Sequence, residues 1–227
     1  MPAPHANAKL FLASANPGKL EEVRALAGAT PFEISALPGI ACLPQFDEIY
    51  PTFAENAAGK ALHYSYSCDE LVIADDSGLV VPALGGAPGV QSARYAGPGA
   101  SDTERVAKLL DAMRGLEGDK RNAHFVCVIA IARRGQALAV VSALVEGRLV
   151  DRPQGAGGFG YDPIFFFPSL GKTFAEIPRE EKNLYSHRGI AFRKTMEFLA
   201  NDLIAPPKPD SGADHHQDHG VWYPRPK

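Results

Sequence analysis

The sequence predicts an α/β fold built on a mixed sheet, and three observations carry that prediction. Near the start, the apolar run KLFLA (9–13) passes through SANPGK (14–19) into LEEVRALAG, the strand–loop–helix order of a parallel unit. Helix-like and strand-like patterns then alternate along the chain. Further on, AHFVCVIAIA (123–132) and ALAVVSALVEG (137–147) flank the turn RRGQ, a hairpin whose strands run antiparallel. A sheet holding both kinds of pairing is mixed.

Each element has a local reason. In the first helix Leu20, Val23 and Leu26 form an apolar stripe. Asn16 is placed to cap it, Pro17 suits its first position, and Glu21 and Glu22 favour its positive start. TFAENAAGKALHYS (52–65) opens on a capping box, Thr52 with Glu55, and predicts a second helix. LVIADDSGLVV (71–81) predicts a strand with two carboxylates and a serine in its middle. GGAPGVQSARYAGPGAS (85–101) is rich in glycine and proline and makes a long connection. SDTERVAKLLDAMRGL (101–116) repeats the capping box, Ser101 with Glu104, and carries a stripe at Val106, Leu109, Leu110 and Met113. After the hairpin, GAGGFGYDPIFFF (155–167) is a glycine loop entering an aromatic strand, and SHRGIAFRKTMEFLANDL (186–203) predicts the last helix. Beyond Ala205 the Pro-, His- and Asp-rich tail has no periodicity, so one domain over 1–205 and a disordered tail over 206–227 are expected.

Composition narrows the class of partner. With 227 residues, 45% apolar and 22% charged, the chain has ample length for a core and the balance of a soluble protein. A formal net charge of −3 gives no general pull toward nucleic acid or anionic lipid. Cys42, Cys68 and Cys127 are far apart with no CxxC pair, which predicts reduced thiols in the cytoplasm, not a disulfide framework or a zinc site. MPAPHANAK is too polar for a secretory signal, and FVCVIAIA is too short to span a bilayer.

Four stretches carry chemistry, and each has a plain structural reading beside the functional one. SANPGK is either an ordinary capped turn with a solvated lysine, or an anion site made of a helix start, exposed N–H groups and Lys19. It is not a Walker A loop. In ADDSG, strand geometry would point Asp75 and Asp76 to opposite faces. That is either a polar strand end or a place where a carboxylate meets Mg²⁺ bridged to phosphates. GGFGYDP is either a turn with core aromatics, or a platform where Phe159 and Tyr161 stack on a flat ring and Asp162 accepts hydrogen bonds. EEKNLYSHRG brings Lys182, His187 and Arg188 together, as solvated or capping groups or as a basic cluster.

Together these are the parts a nucleoside triphosphate site requires, and here the chain shows a resemblance. SANPGK, TFAENAAGKA, ADDSGLVVPALGGAPGVQSARYAG, GAGGFGYDPIFF and EEKNLYSHRGIAF resemble, in order, the motifs of the inosine/xanthosine triphosphate pyrophosphatase family. The likeness covers about residues 9–203. It implies an elongated mixed sheet with flanking helices forming two lobes around a nucleotide cleft. It also implies a Mg²⁺-dependent cytoplasmic homodimer that hydrolyses ITP, dITP and XTP to the monophosphate and pyrophosphate. By the same resemblance Asp76 is the catalytic proton acceptor and a metal ligand, Asp75 supports it, and Glu48 helps hold the metal. The substrate positions would be Ser14, Ala15, Asn16, Pro17, Gly18, Lys19, Ser77, Phe159, Gly160, Tyr161, Asp162, Lys182, His187 and Arg188. Phe159 would stack on the purine, and His187 and Arg188 would donate to its oxygens. Asn56 and Lys60, four apart on one helix face, could reach the phosphates. Around Glu48 the chain reads DEIYP where the family commonly has Thr-Gly after the acidic pair.

Two rivals remain at this stage. A phosphatase using an aspartyl-phosphate would release orthophosphate, but its DxDx[TV] pattern does not fit DDSG. A nucleotide-binding regulator would bind without turnover.

Overall fold

The computed structural model describes residues 8–14, 17–27, 30 and 32–204. The tail 206–227 and the proposed cap Asn16 lie outside the described residues. Seven strands form one sheet in the order β2-β1-β3-β4-β5-β6-β7. They are β1 (Ala8–Leu12), β2 (Phe32–Ala36), β3 (Leu71–Val80), β4 (Asn122–Arg133), β5 (Gln136–Leu149), β6 (Phe165–Phe167) and β7 (Lys172–Thr173). β1 pairs parallel with both β2 and β3, and every other pair is antiparallel. The sheet is mixed, as expected. The five α-helices are α1 (Pro17–Ala27), α2 (Phe53–Ser65), α3 (Asp102–Ala112), α4 (Arg179–Tyr185) and α5 (His187–Phe198).

Local chemistry accounts for the helix starts. The Thr52 hydroxyl accepts from the Glu55 N–H at 3.2 Å, and Ser101 with Glu104 forms the complete reciprocal box. Ser186 caps α5 by accepting from the Gly189 N–H at 3.1 Å. The β4–β5 turn places Arg134 at φ 49° and Gly135 at φ 75°, the left-handed pair of a tight hairpin turn. One expectation fails. α1 begins at Pro17, so Glu21 and Glu22 lie beyond its first turn, and Glu22 turns inward to another partner.

The long hairpin makes the sheet elongated, since the 14 residues of β5 reach roughly 45 Å at strand rise. At one end Leu109 of α3 and Met113, the residue that ends it, pack with Phe125, Val145, Leu149, Phe165 and Phe174. At the other end the sheet has a core on each face. Ile73, Ile129 and Ile131 meet α1 and α5, whereas Val72, Ala74, Val128 and Ala130 meet Ala57, Ala61 and Tyr64 of α2. Among the described residues no helix is long and apolar enough to cross a membrane. Cys42, Cys68 and Cys127 are free thiols.

One feature of the ladder creates a cleft. β1 accompanies β3 only from Leu71 to Ile73, with one further bond from the Ala13 N–H to the Ile73 carbonyl. Past that point β1 ends, and the next contact on the same edge of β3 is the Leu79 N–H on the Ser92 hydroxyl at 2.9 Å. α1 leaves for one face and α2 lies on the other, so a notch opens at the carboxyl end of β1.

Candidate active site

β3 runs unbroken through its aspartates. Asp75 and Asp76 stand in register with Ile129 and Val128, so the strand is not interrupted there. What the two carboxylates do is emerge on opposite faces, at the edge β1 leaves uncovered. A ligand in the notch can therefore touch both faces of the sheet.

On the α1/α5 face Asp75 is the centre of a buried ion network. Both its oxygens accept from Lys19 Nζ at 2.8 Å, and Arg188 Nε stands 3.7 Å away. Arg188 also donates to Glu22 at 2.6 Å and to the Ser77 hydroxyl at 2.9 Å. Burial works against ionising Asp75, but Lys19, Arg188 and Lys60 outweigh it and hold the carboxyl far below its ordinary range.

Asp76, on the α2 face, has the opposite environment. Burial and the charge of Glu48 push its pKa up to about 6, against the Asn56 amide and Lys19. Its Oδ2 is buried without a hydrogen-bond partner. Glu48 itself is paired with Lys60 at 2.7 Å. The acidic loop is seated tightly on α2. Phe46 fills the space a side chain at Gly59 would take, its ring carbon 2.6 Å from where that Cβ would lie. The Asn56 amide grips Tyr50 through the Tyr50 N–H at 3.0 Å and its carbonyl at 3.2 Å. Asn56 is fully buried, its amide shared between Tyr50 and the Asp76 carboxylate.

These donors suit a hard cation. The Asp76 Oδ2, without a hydrogen-bond partner among the described residues and repelled by Glu48, is a carboxylate oxygen that a cation would relieve. Among the described residues no group of three or more His, Cys, Asp or Glu could hold a metal. Asp76 and Glu48 alone would leave most of a hard cation's coordination to water or to a ligand.

Two cavities meet the notch. The larger, about 790 Å³, is lined by Lys19, Glu22, Gly158, Phe159, Lys182 and Asn183 among others. Phe159 is 48% exposed, with Lys182 Nζ 5.1 Å and the Arg188 guanidinium 5.3 Å from its ring centre. The smaller, about 530 Å³, is bordered by Ser14, Glu48, Lys60 and Arg94. The segment 14–19 thus gives Ser14 to one cavity and Lys19 to the other. Ala15 and Asn16 lie outside the described residues, and Pro17 and Gly18 form the first turn of α1.

The other expected positions are mostly held inside. The Asp162 carboxylate accepts from Lys182 at 2.5 Å and from the Phe159 N–H at 2.9 Å, so it braces the glycine loop. The Gly160 N–H is taken by Asp102 at 2.7 Å, and the Tyr161 hydroxyl donates to the Ser92 carbonyl at 2.9 Å. His187 is 5% exposed and stacks on Phe125 at 4.6 Å, away from both cavities. Sequence reasoning missed the inward turn of Glu22 and the contact of Arg94 with Glu48. Their partners lie 166 and 46 positions away, beyond any local pattern.

His187 gives a pH-dependent expectation. Burial, then Arg188 and Lys182, hold its imidazole well below the ordinary 6.5. Below pH 6.5 the unfolded chain binds a proton that the folded one refuses, so stability falls with pH at up to about 1.4 kcal/mol per unit. His187→Phe should flatten that acid slope in urea unfolding between pH 6.5 and 5, relative to wild type. Parallel curves would place the proton elsewhere.

Known proteins match this arrangement. A model of the Ham1 family matches residues 10–198. A dITP/XTP pyrophosphatase of Geobacillus kaustophilus is 46% identical over 189 residues, covering 83% of this chain and 93% of the relative. One from Gloeobacter violaceus is 49% identical over 82% of this chain and 92% of its own. Among solved structures, a HAM1 protein from Coxiella burnetii is 39% identical with a TM-score of 0.78, covering 85% of this chain and 98% of that one.

Proposed function

The chain belongs to the Ham1 family, and on that premise we propose that it hydrolyses ITP, dITP and XTP to the monophosphate and pyrophosphate. It is a hydrolase of nucleoside triphosphates. The observation that carries the site assignment is the pair of adjacent aspartates at the open edge of β3, one fully charge-compensated and one not.

Asp75 keeps Lys19 and Arg188 in place, and Asp76 accepts the proton of the attacking water. Asp76 is ionised at neutral pH, with its pKa at about 6 in the metal-free protein, so it is available both to a cation and to that proton. The water attacks the α-phosphorus, and pyrophosphate departs with the electron pair of the broken P–O bond. Asp76 and Glu48 would hold Mg²⁺, which would supply charge neutralisation when bound. Lys19 and Ser14, from either end of the 14–19 segment with Ala15, Asn16, Pro17 and Gly18 between them, face the triphosphate. The purine stacks on Phe159, with the Gly160–Asp162 turn, Lys182, His187 and Arg188 building its surroundings. A 6-oxopurine presents an acceptor to Lys182 and Arg188, whereas adenine turns an amino donor toward them, and such mismatches discriminate strongly. Residues 1–205 work as one two-lobed unit, in the cytoplasm and as a homodimer.

The test is incubation with ITP, XTP, GTP and ATP in Mg²⁺, with pyrophosphate and orthophosphate assayed separately. Pyrophosphate from ITP and XTP, and much less from ATP, is the expected result. Orthophosphate alone, or binding without turnover, would overturn it.

A further inference from the structure

Arg94 closes the smaller cavity from the side opposite α2. It sits at the end of the 3-10 segment Gly89–Arg94 and reaches across to the acidic loop, donating Nη2 to the Glu48 carbonyl at 2.5 Å. Its Nε is anchored on the Gln91 amide oxygen at 2.5 Å. Two edges of the guanidinium are thereby fixed, and among the described residues its Nη1 has no hydrogen-bond partner. Ser14 and Lys60 border the same cavity. The charge of Lys60 is answered by Glu48, and Arg94 has no ion-pair partner among the described residues.

We propose that Arg94 is a catalytic residue whose guanidinium binds the departing pyrophosphate. The inference rests on the pyrophosphatase reading above and adds a residue to it. When the bond between the α-phosphorus and its bridging oxygen breaks, the electron pair stays on that oxygen and negative charge grows on the leaving pyrophosphate. The water's oxygen joins the α-phosphorus, and its proton goes to Asp76. An immobilised guanidinium fork with free N–H groups suits two phosphate oxygens at once, and its orientation has been fixed before substrate arrives. Lysine offers only a point charge on a flexible stem. The cavity lies away from Phe159 and Lys182, so Arg94 addresses the phosphate end and not the base.

The experiment measures binding of inorganic pyrophosphate and of IMP separately, by calorimetry in Mg²⁺, to wild type, Arg94→Gln and Arg94→Lys. Arg94→Gln should weaken pyrophosphate about tenfold or more, leave IMP within about twofold, and lower kcat on ITP by about 10²-fold. Arg94→Lys should fall between. Unchanged IMP binding also certifies that the variant is folded. If Arg94 merely props the Glu48 loop, pyrophosphate and IMP, which both carry metal-seeking phosphates, weaken together, and that result overturns the proposal. So does unchanged pyrophosphate affinity in Arg94→Gln, or wild type that does not bind pyrophosphate. Failure of the wild type to release pyrophosphate from ITP would instead sink the underlying reading.

Discussion

Asp76→Asn should lower kcat on ITP by about 10³-fold and at the same time leave the metal-free protein as stable as wild type or more so. The loss follows from removing the proposed proton acceptor and proposed metal ligand in one step. The stability gain follows from the carboxylate's surroundings. Oδ2 has no partner, burial and Glu48 both oppose its charge, and a neutral amide relieves that cost. Steady-state kinetics and thermal melts with and without Mg²⁺ check both halves. A variant that is inactive because it has unfolded, or one that turns over normally, would remove Asp76 from the role given to it.

Its neighbour should behave in the reverse way. Asp75→Ala is expected to destabilise the fold by about 3–5 kcal/mol, because the Lys19 pair is broken and Arg188, with Glu22 alone to answer its charge, is left buried beside Lys19. Arg188 is 4% exposed, so water cannot replace the missing carboxylate. pH adds a second reading. The folded pKa of Asp75 lies below its ordinary 3.8, so its contribution is complete above that value and is lost as pH falls beneath it. Wild type should therefore lose stability below pH 3.8 more steeply than Asp75→Ala, whose deficit at neutral pH should narrow in acid. Urea titrations at pH 7 and pH 3 decide this. An equal deficit at both would mean that packing, not charge, is what Asp75 contributes.

How much of this was legible from the sequence differs by element. Thr52 and Ser101 announce their helices because a cap and its partner sit three residues apart. The opposite orientation of Asp75 and Asp76 follows from strand geometry alone. β2 is passed over although Phe32, Glu33, Ile34, Ser35 and Ala36 alternate apolar and polar, because a run of five residues with only Phe32 fully buried is too short and weak to stand out. α4 is seven residues and ends directly against the cap of α5, too short to declare a stripe. The partners of Asp162 and Asn56 were hidden for another reason. A carboxylate or amide near a ligand motif looks the same in sequence whether it meets the ligand or the backbone beside it. Only the fold shows Asp162 spent on Lys182 and Phe159, and Asn56 on Tyr50 and Asp76.

The Arg188–Glu22 bridge spans 166 positions of chain, and that distance sets when the protein becomes competent during synthesis. The β4–β5 hairpin, made of near neighbours, can form while the rest is still being translated. The cleft cannot. Lys19 and Asp75 are among the early residues to emerge, yet the guanidinium that shares the Asp75 carboxylate with Lys19 arrives with α5, almost at the end of the described chain. A nascent chain on the ribosome thus carries both aspartates long before the ion network around Asp75 is complete, and only the last helix closes it.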